Sequence, residues 1–399
     1  ELTVKGSFKD RLGFYSSLFQ GSQPIGSSTY TLTRDPFLRP LYYVSLQERP
    51  PGGFDRATAS VRYQGRYFYG EIAQARIPVG AGPAHSLILT DNADYFGHIK
   101  LGLNTRHIQY FFLHGALGAR SQWYRNPDDP TERALLSPQR YLALHRIAVY
   151  TAPLSVAFTE MVVYANRPPE LAYLNPVNFF KSAEQALWDR DNTLFALEGQ
   201  WRPFRGIELY GTWLVDDLSI QDLGKGSIHN RFGWQTGILT APYDGIMLWL
   251  EYVRLDPFLY THRFRLNGVS FNAYTHNGYG LGHPLGPHAD QITAGWRLFA
   301  GYRWFADVRV SYVRRGENTV DENGALINVG GDILNGYFPP EQKKMPAFLS
   351  GRRVEGPGFE LSLTWEPIRG YWLMLYGRAY AWKGEPHEQF LRLQLRIDW

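Results

Sequence analysis

Gln389-Phe390-Leu391-Arg392-Leu393-Gln394-Leu395-Arg396-Ile397-Asp398-Trp399 closes the chain. Leu391, Leu393, Leu395, Ile397 and Trp399 fall on one face of an extended strand; Phe390, Arg392, Gln394, Arg396 and Asp398 fall on the other. A face that is wholly apolar and closed by Trp is unusual at the end of a soluble protein. It suits the last strand of an outer-membrane β-barrel, which meets lipid on one side and a wet lumen on the other. A terminal aromatic behind alternating apolar residues is also the type of signal that barrel-assembly machinery reads.

The same alternation recurs upstream. Ala57, Ala59, Val61 and Tyr63 oppose Thr58, Ser60, Arg62 and Gln64; Phe195, Leu197 and Trp201 oppose Glu198, Gln200 and Arg202. Ile207, Leu209, Trp213 and Val215 oppose Glu208, Tyr210 and Thr212, and Ile292, Ala294, Trp296 and Leu298 oppose Thr293 and Arg297. Trp304, Ala306, Val308, Val310 and Tyr312 oppose Asp307, Arg309 and Ser311, while Phe359, Leu361, Leu363 and Trp365 oppose Glu360, Ser362, Thr364 and Glu366. Segments of about 9–11 residues with this pattern are what a barrel wall requires. The runs 109–116 and 371–382 are apolar on both faces, which predicts strands packed against a loop folded into the lumen.

Composition agrees. The 399 residues include 26 Tyr, 24 Phe and 12 Trp, an excess that suits aromatic girdles at the lipid–water boundary. No run of about 18 apolar residues exists, so helical spans are excluded, whereas a barrel dilutes its hydropathy with inward residues and loops. Cysteine is absent, which removes disulfides and thiolate metal sites. A net charge of +4 without a Lys/Arg block is poor support for nucleic acid and compatible with an acidic glycan. Glu1 opens directly into the Leu2, Val4 and Phe8 alternation rather than a signal peptide, so export is inferred from the rest of the chain.

Pro203 to Gly206, Pro242 to Gly245 and Pro367 to Gly370 each join two strand-like runs by a Pro-x-x-Gly turn. Between the hairpins lie long connections at 77–98, 165–192, 217–230, 255–291 and 315–358. Short turns against long loops is the periplasmic-versus-extracellular asymmetry of such barrels. Hairpins near 56–76, 99–116, 141–164, 193–217, 231–255, 292–314 and 359–382, with a first strand before residue 50 and a last at 389–399, give 16 strands, or 18 if 14–48 holds another pair. The expectation is one all-β domain over 1–399, a transmembrane antiparallel β-barrel of about 16–18 strands. One helix is expected around Val177 to Leu187, with Asn175-Pro176 ahead of it.

Several stretches are too polar or glycine-rich to be wall. Gly80-Ala81-Gly82-Pro83-Ala84-His85 leads into Ser86-Leu87-Ile88-Leu89-Thr90-Asp91-Asn92-Ala93. His145-Arg146, Asn175-Pro176 and Asp191-Asn192 follow, and then His276 to Asp290, which contains Leu281-Gly282-His283-Pro284-Leu285-Gly286-Pro287-His288-Ala289-Asp290. In this order the clusters resemble the Wzi family of outer-membrane capsule-assembly proteins, over roughly residues 50–300. The family-like positions are Ser86, Asp91, Asn92, His145, Arg146, Asn175, Pro176, Asp191, Asn192, Gly282 and Gly286. The resemblance implies a large barrel with a lectin-like, polysaccharide-binding role in holding capsule at the cell surface. Family members carry an amino-terminal helical bundle that plugs the periplasmic side. Here Glu1 to Lys9 alternates as a strand, so the resemblance leaves a more porin-like, unplugged lumen open.

Sugar binding needs aromatic faces beside planar hydrogen-bonding groups. Tyr173, Trp188, Tyr274 and Tyr279 sit in the long loops near His276, His283, His288 and Asp290, and these eight are the candidate ligand contacts. The plainer alternative is that the rings fill the loops, while the His and Asp side chains hydrogen-bond lumen charges. His283 and His288 are five apart across Pro284, Gly286 and Pro287, which argues against a metal site on a rigid element. Asp216-Asp217 could serve a hydrolase only if the strand has ended, because neighbours in a strand point to opposite faces. No nucleophile elbow or phosphate loop is present, so neither enzyme nor cofactor is expected. Expected partners are outer-membrane lipid, surface or capsular polysaccharide and other outer-membrane proteins. The alternative function is a diffusion channel or a structural subunit of a larger assembly.

Overall fold

A computed structural model describes residues 2–22, 53–119, 122–125, 133–136, 138–263, 265–266, 269–301 and 303–397. One sheet of 17 strands dominates it. The strands are β1 (Leu2–Phe8), β2 (Leu12–Ser22), β3 (Gly53–Gln64), β4 (Phe68–Ala75), β5 (Phe96–Asn104) and β6 (Ile108–Leu117). They continue as β7 (Arg140–Tyr150), β8 (Leu154–Ala165), β9 (Asn192–Phe204), β10 (Ile207–Asp216), β11 (Arg231–Tyr243) and β12 (Ile246–Leu255). The last are β13 (Ala289–Ala300), β14 (Trp304–Glu317), β15 (Arg352–Ile368), β16 (Tyr371–Tyr380) and β17 (Glu388–Ile397). Each strand pairs antiparallel with the next in sequence. β1 and β17 both run from the long-loop end to the short-turn end, and no pairing between them is found among the described residues.

The Pro-x-x-Gly turns sit where expected. Gly206, Gly245 and Gly370 adopt φ of 78°, 79° and 83°, the left-handed region that glycine enters without strain. Each turn follows a register shift, at Trp201/Phe204, Thr240/Tyr243 and Trp365/Ile368, so the proline falls in a bulge where no ladder N–H is needed. These turns and those at 9–11, 65–67, 105–107, 151–153 and 301–303 share one end of the sheet. The long connections 76–95, 118–139, 166–191, 217–230, 256–288 and 318–351 share the other.

The two faces of the wall follow the alternation. Leu391, Leu393, Leu395 and Ile397 are exposed on the outer face of β17, and Val310 and Tyr312 on that of β14. Trp399 and Asp398 lie outside the described residues. Trp304 stacks on its cross-strand partner Trp365 at 4.9 Å near the short turns, and Trp213 on Trp234 at 5.5 Å further toward the loops. Outward aromatic pairs of this kind suit a wall that meets lipid.

Two expectations needed correction. β14 and β15 extend to Glu317 and back to Arg352, beyond the limits that alternation alone gave, because Arg314–Arg315 and Arg352–Glu355 continue the ladder as charged rim above the lipid-facing band. The first strand before residue 50 is a hairpin, β1–β2; residues 23–48 lie outside the described set. Between β6 and β7 the chain makes a further long connection, as the hairpins at 99–116 and 141–164 imply, and residues 120–121, 126–132 and 137 of it lie outside the described set.

Loops 76–95 and 256–288 turn into the lumen and form an apolar plug. Leu87, Ile88 and Leu89 lie with Tyr260, Tyr274 and Leu281 against inward Leu113, Leu142, Leu144, Met161, Val163, Leu194 and Leu214. Hydrogen bonds join the two loops. The Thr90 N–H donates to Leu281 O (2.8 Å), Asn92 Nδ2 to Gly280 O (2.9 Å), Tyr260 OH to Leu87 O (2.7 Å) and Tyr274 OH to Ile88 O (2.9 Å). Buried loop backbone of this kind survives only when its polar groups are paired. The apolar inner face of 109–116, through Phe111 and Leu113, meets this plug as expected. That of 371–382 does not lie on a loop in the same way: Tyr376, Arg378 and Tyr380 face a cavity.

The connection 166–191 contains α1 (Leu171–Leu174) and α2 (Phe180–Ala186). The expected helix forms with narrower bounds, capped by a left-handed Trp188 and Asp189 (φ 75° and 50°). This segment lies on the outside of the wall. Tyr173, Phe180 and Ala183 cover Phe112, Ala143, Val162 and Tyr164, which alternate with the lumen-facing Phe111, Leu142, Leu144, Met161 and Val163.

Candidate functional site

On β14, Asp307, Arg309, Ser311, Val313 and Arg315 recur every second residue, so all five project inward. They climb roughly 26 Å along the strand. With residues of β12, β13 and β15–β17 they line a cavity of about 580 Å³. Its plug side is formed by His85, Asp91, Asn92, His283 and Leu285.

Most charges on this wall are committed. Asp307 receives Arg297 and Arg309, both at 2.7 Å. Glu360 accepts from Tyr380 OH at 3.0 Å and lies 3.7 Å from Arg309. Glu251 accepts from Tyr210 OH and Gln235 Nε2, each at 2.8 Å, and Glu388 from Trp382 Nε1 at 3.2 Å. Arg315 differs. Its guanidinium lies over the Trp382 ring at 5.4 Å, and Trp382 stacks on Tyr380 at 5.0 Å with the planes 1° apart. The Arg315 Nε is buried without a hydrogen-bond partner, and among the described residues no ion pair of Arg315 is found. A cation stacked on an aromatic ring in a cavity wall is suited to a carboxylate or vicinal hydroxyls.

The residues expected to bind ligand are not gathered in one place. His283 lines the cavity, with its ring edge-on to His85 at 5.6 Å. Tyr274 and His276 are buried within the plug, where His276 Nδ1 accepts the Gly118 N–H at 2.9 Å. Burial lowers the His276 imidazole to about 4 and takes His283 well below the usual histidine range. His288 is buried and donates from Nε2 to Ala347 O at 3.3 Å. Asp290 is on the outer face, ion-paired with Arg314 and accepting from Tyr252 OH at 3.1 Å. Tyr173 is buried on the outer side of the wall, donating to Asp191 Oδ2 at 2.7 Å. Tyr279 is half-buried, and Trp188 is 84% exposed.

The family-like positions are divided in the same way. Asp91 and Asn92 line the cavity, and Ser86 Oγ accepts the Ile88 N–H at 2.9 Å. His145 and Arg146 point to opposite sides: His145 meets Glu160 at 2.9 Å beneath α2, and Arg146 meets Glu198 at 2.9 Å in the lumen. Asn175 Oδ1 accepts the Val177 N–H at 3.2 Å, and Pro176 O accepts from Tyr110 OH. Asp191 holds Arg167, and Asn192 donates to Asn272 O at 2.9 Å. A Cβ on Gly282 would lie 2.5 Å from the Tyr260 ring, and Gly286 takes φ 76°.

Asp216 ends β10 and Asp217 adopts φ 67°, so the strand has ended there, the condition under which the two carboxylates can converge. Both are held by Arg231, at 3.4 and 3.0 Å. No group of three or more His, Asp or Glu able to hold a metal is found among the described residues. Arg315, Trp382, Tyr380 and Arg378 escaped sequence reasoning. The available signal was the two-residue spacing of charges on β14, already visible in Asp307 and Arg309.

No family model matches the sequence, and no curated protein is similar to it. Among solved structures, OccAB4 of Acinetobacter baumannii aligns at 9% identity over 99% of this chain and 89% of its own, with a TM-score of 0.49. A BenF-like porin of Pseudomonas fluorescens aligns at 9% identity over 98% and 89%, with a TM-score of 0.47. Scores at that level argue nothing further. Wzi of Escherichia coli, an outer-membrane protein involved in group 1 capsule assembly and described as a carbohydrate-binding β-barrel, aligns at 12% identity over 97% of this chain and 83% of its own, with a TM-score of 0.54. The lipid-facing band, the outward aromatic pairs and this likeness together make the chain an outer-membrane β-barrel that shares the fold of Wzi.

Proposed function

We propose that this protein is a non-catalytic, lectin-like barrel that holds an acidic surface polysaccharide in its lumen cavity and so helps to assemble or retain a capsule. The observation that carries this reading is Arg315, stacked on Trp382 and, among the described residues, without an ion pair, in the wall of a cavity of about 580 Å³. Around it stand the groups that sugars use: Tyr376, Asn92, Gln291, Ser311 and Arg378. The carbohydrate binding stated for Wzi supports the same class of ligand. Arg231 occupies both Asp216 and Asp217, which supports binding over hydrolysis. Titration of the reconstituted protein with uronate-containing capsular polysaccharide is expected to show saturable, salt-weakened binding. Failure to bind any acidic or neutral surface glycan rejects the reading.

A porin-like channel is the second reading. It is favoured by Arg309, Arg315, Arg378 and Arg392, which line one continuous cavity along the inner wall. Planar-bilayer conductance separates the two: a plugged lectin is silent, whereas a channel passes current with preference for anions.

A further inference from the structure

We propose that the helical segment 166–191 is a lipid-facing foot that completes the apolar band of the barrel over β6–β9 and inserts into acyl chains of the outer leaflet. The inference begins with a gap in the wall. On β14 the outer face runs Trp304, Ala306, Val308, Val310 and Tyr312 before the first charge, Arg314. On β8 it runs only Leu154, Val156 and Phe158 before Glu160, and on β7 only Val149 and Ile147 before His145. Counted from the short turns, the polar boundary arrives after ten residues on β14 and six on β8. With a rise of about 3.3 Å and a tilt near 40°, that difference is roughly 10 Å of height, a large part of an apolar band about 25 Å tall.

The missing height is where α1 and α2 sit. Glu160 and His145 would face hydrocarbon at this level, and the segment closes over both. Phe180 stacks on the His145 ring at 4.5 Å, and Glu160 Oε1 accepts the Lys181 N–H at 2.9 Å. Beneath it, Val162 and Tyr164 are fully buried on the outer face of β8. On the segment's other side Leu171, Val177 and Phe179 are uncovered by any described residue, 79%, 78% and 69% exposed, while Asn175, Ser182, Gln185, Asp189 and Arg190 are exposed polar positions. Phe158 and Ile147, one step along their strands from Glu160 and His145, are exposed on the same side of the wall. A short amphipathic element with its apolar side toward acyl chains lies in the membrane boundary. The occupant is lipid because Phe158 and Ile147, on the same outer side of the wall, already face lipid.

The chain contains no cysteine, so single reporters carry no background. Phe179→Cys and Val177→Cys, each labelled with an environment-sensitive fluorophore, are to be reconstituted as whole protein in phosphatidylcholine vesicles containing doxyl lipid. Val310→Cys is the lipid-facing reference, and Ile220→Cys, in a connection where Ile220 is 79% exposed, is the aqueous one. The foot predicts doxyl quenching within twofold of Val310→Cys, and iodide quenching at least fivefold below Ile220→Cys. Iodide access equal to Ile220→Cys overturns the proposal by placing the segment in water. Protection from both quenchers overturns it too, because a protein surface then covers the patch. Heat-modifiable gel mobility confirms that each variant is folded, and two positions guard against a local defect at one.

Discussion

Arg315 shows how much one side chain can be asked to do. A guanidinium at the edge of a cavity stays charged, so without an acid beside it the acceptors for its N–H groups come from water or a ligand. Replacing it by glutamine keeps a planar donor and removes the charge. Arg315→Gln is therefore expected to weaken acidic glycan about tenfold, equivalent to about 1.4 kcal/mol, and to leave any neutral glycan within twofold. Isothermal titration with both glycans checks this, and an equal loss for each would make Arg315 a general structural support. Val310 and Ser311 provide a second test at this scale, since consecutive residues face opposite solvents. Val310→Arg, on the lipid side, is expected to cost about 2–4 kcal/mol in folding into bilayers, whereas Ser311→Arg, facing the cavity, costs much less. Urea titrations of folding into vesicles measure the pair. Similar losses would mean that the faces are assigned wrongly. At Gly282 the added methyl of Gly282→Ala meets the Tyr260 ring at 2.5 Å and Leu87 O at 2.8 Å, so overpacking there should loosen the plug by about 1–3 kcal/mol.

At the scale of elements, the plug carries its own pH dependence. His276 Nδ1 accepts a backbone N–H from Gly118, and His283 Nδ1 accepts one from Leu285 at 3.2 Å, so each imidazole must be neutral at that atom. Burial depresses both, His276 to about 4, below the value near 6.5 of an unfolded histidine. The released loop therefore binds more protons than the docked one as pH falls through this window. Stability is complete above about pH 6.5 and is lost toward pH 4, by up to about 1.4 kcal/mol per pH unit for each histidine. Protease clipping within 256–288 should rise steadily from pH 7 to 4.5, and a flat profile would remove the histidines from the account. The strands themselves were legible because a period of two needs no partner to be recognised. The Pro-x-x-Gly turns were legible because proline and glycine fix dihedrals locally. The polar clusters 80–93 and 276–290 stood out as non-wall, yet their role as mutual partners depends on contacts between residues nearly two hundred positions apart. The helix near 180 could be anticipated, but not its place outside the wall, because that depends on contacts of Tyr173, Phe180 and Ala183 with Phe112, Ala143, Val162 and Tyr164, which only the fold brings together. Arg315 stayed hidden because only the fold brings Trp382 beneath it.

For the whole molecule, the decisive property is that one wall serves two solvents. Without detergent or lipid the purified chain should aggregate, since Leu391, Leu393, Leu395 and their neighbours offer a continuous apolar belt. A monodisperse protein in plain buffer, measured by light scattering, would refute the barrel. Shortening the plug between Gly82 and Ala93 tests the relation of loops to lumen: single-channel conductance should rise several-fold over the parent, and an unchanged trace would mean that the plug does not restrict passage.

Thr90 and Leu281, whose hydrogen bond joins the two halves of the plug, are 191 residues apart in sequence. In whichever direction the strands are added, the half of the seal that is placed first must wait for its counterpart, because β5 to β12 stand between them. A barrel stalled before that stage would be a leak in the cell envelope, so the order of strand addition also decides when the membrane becomes tight again.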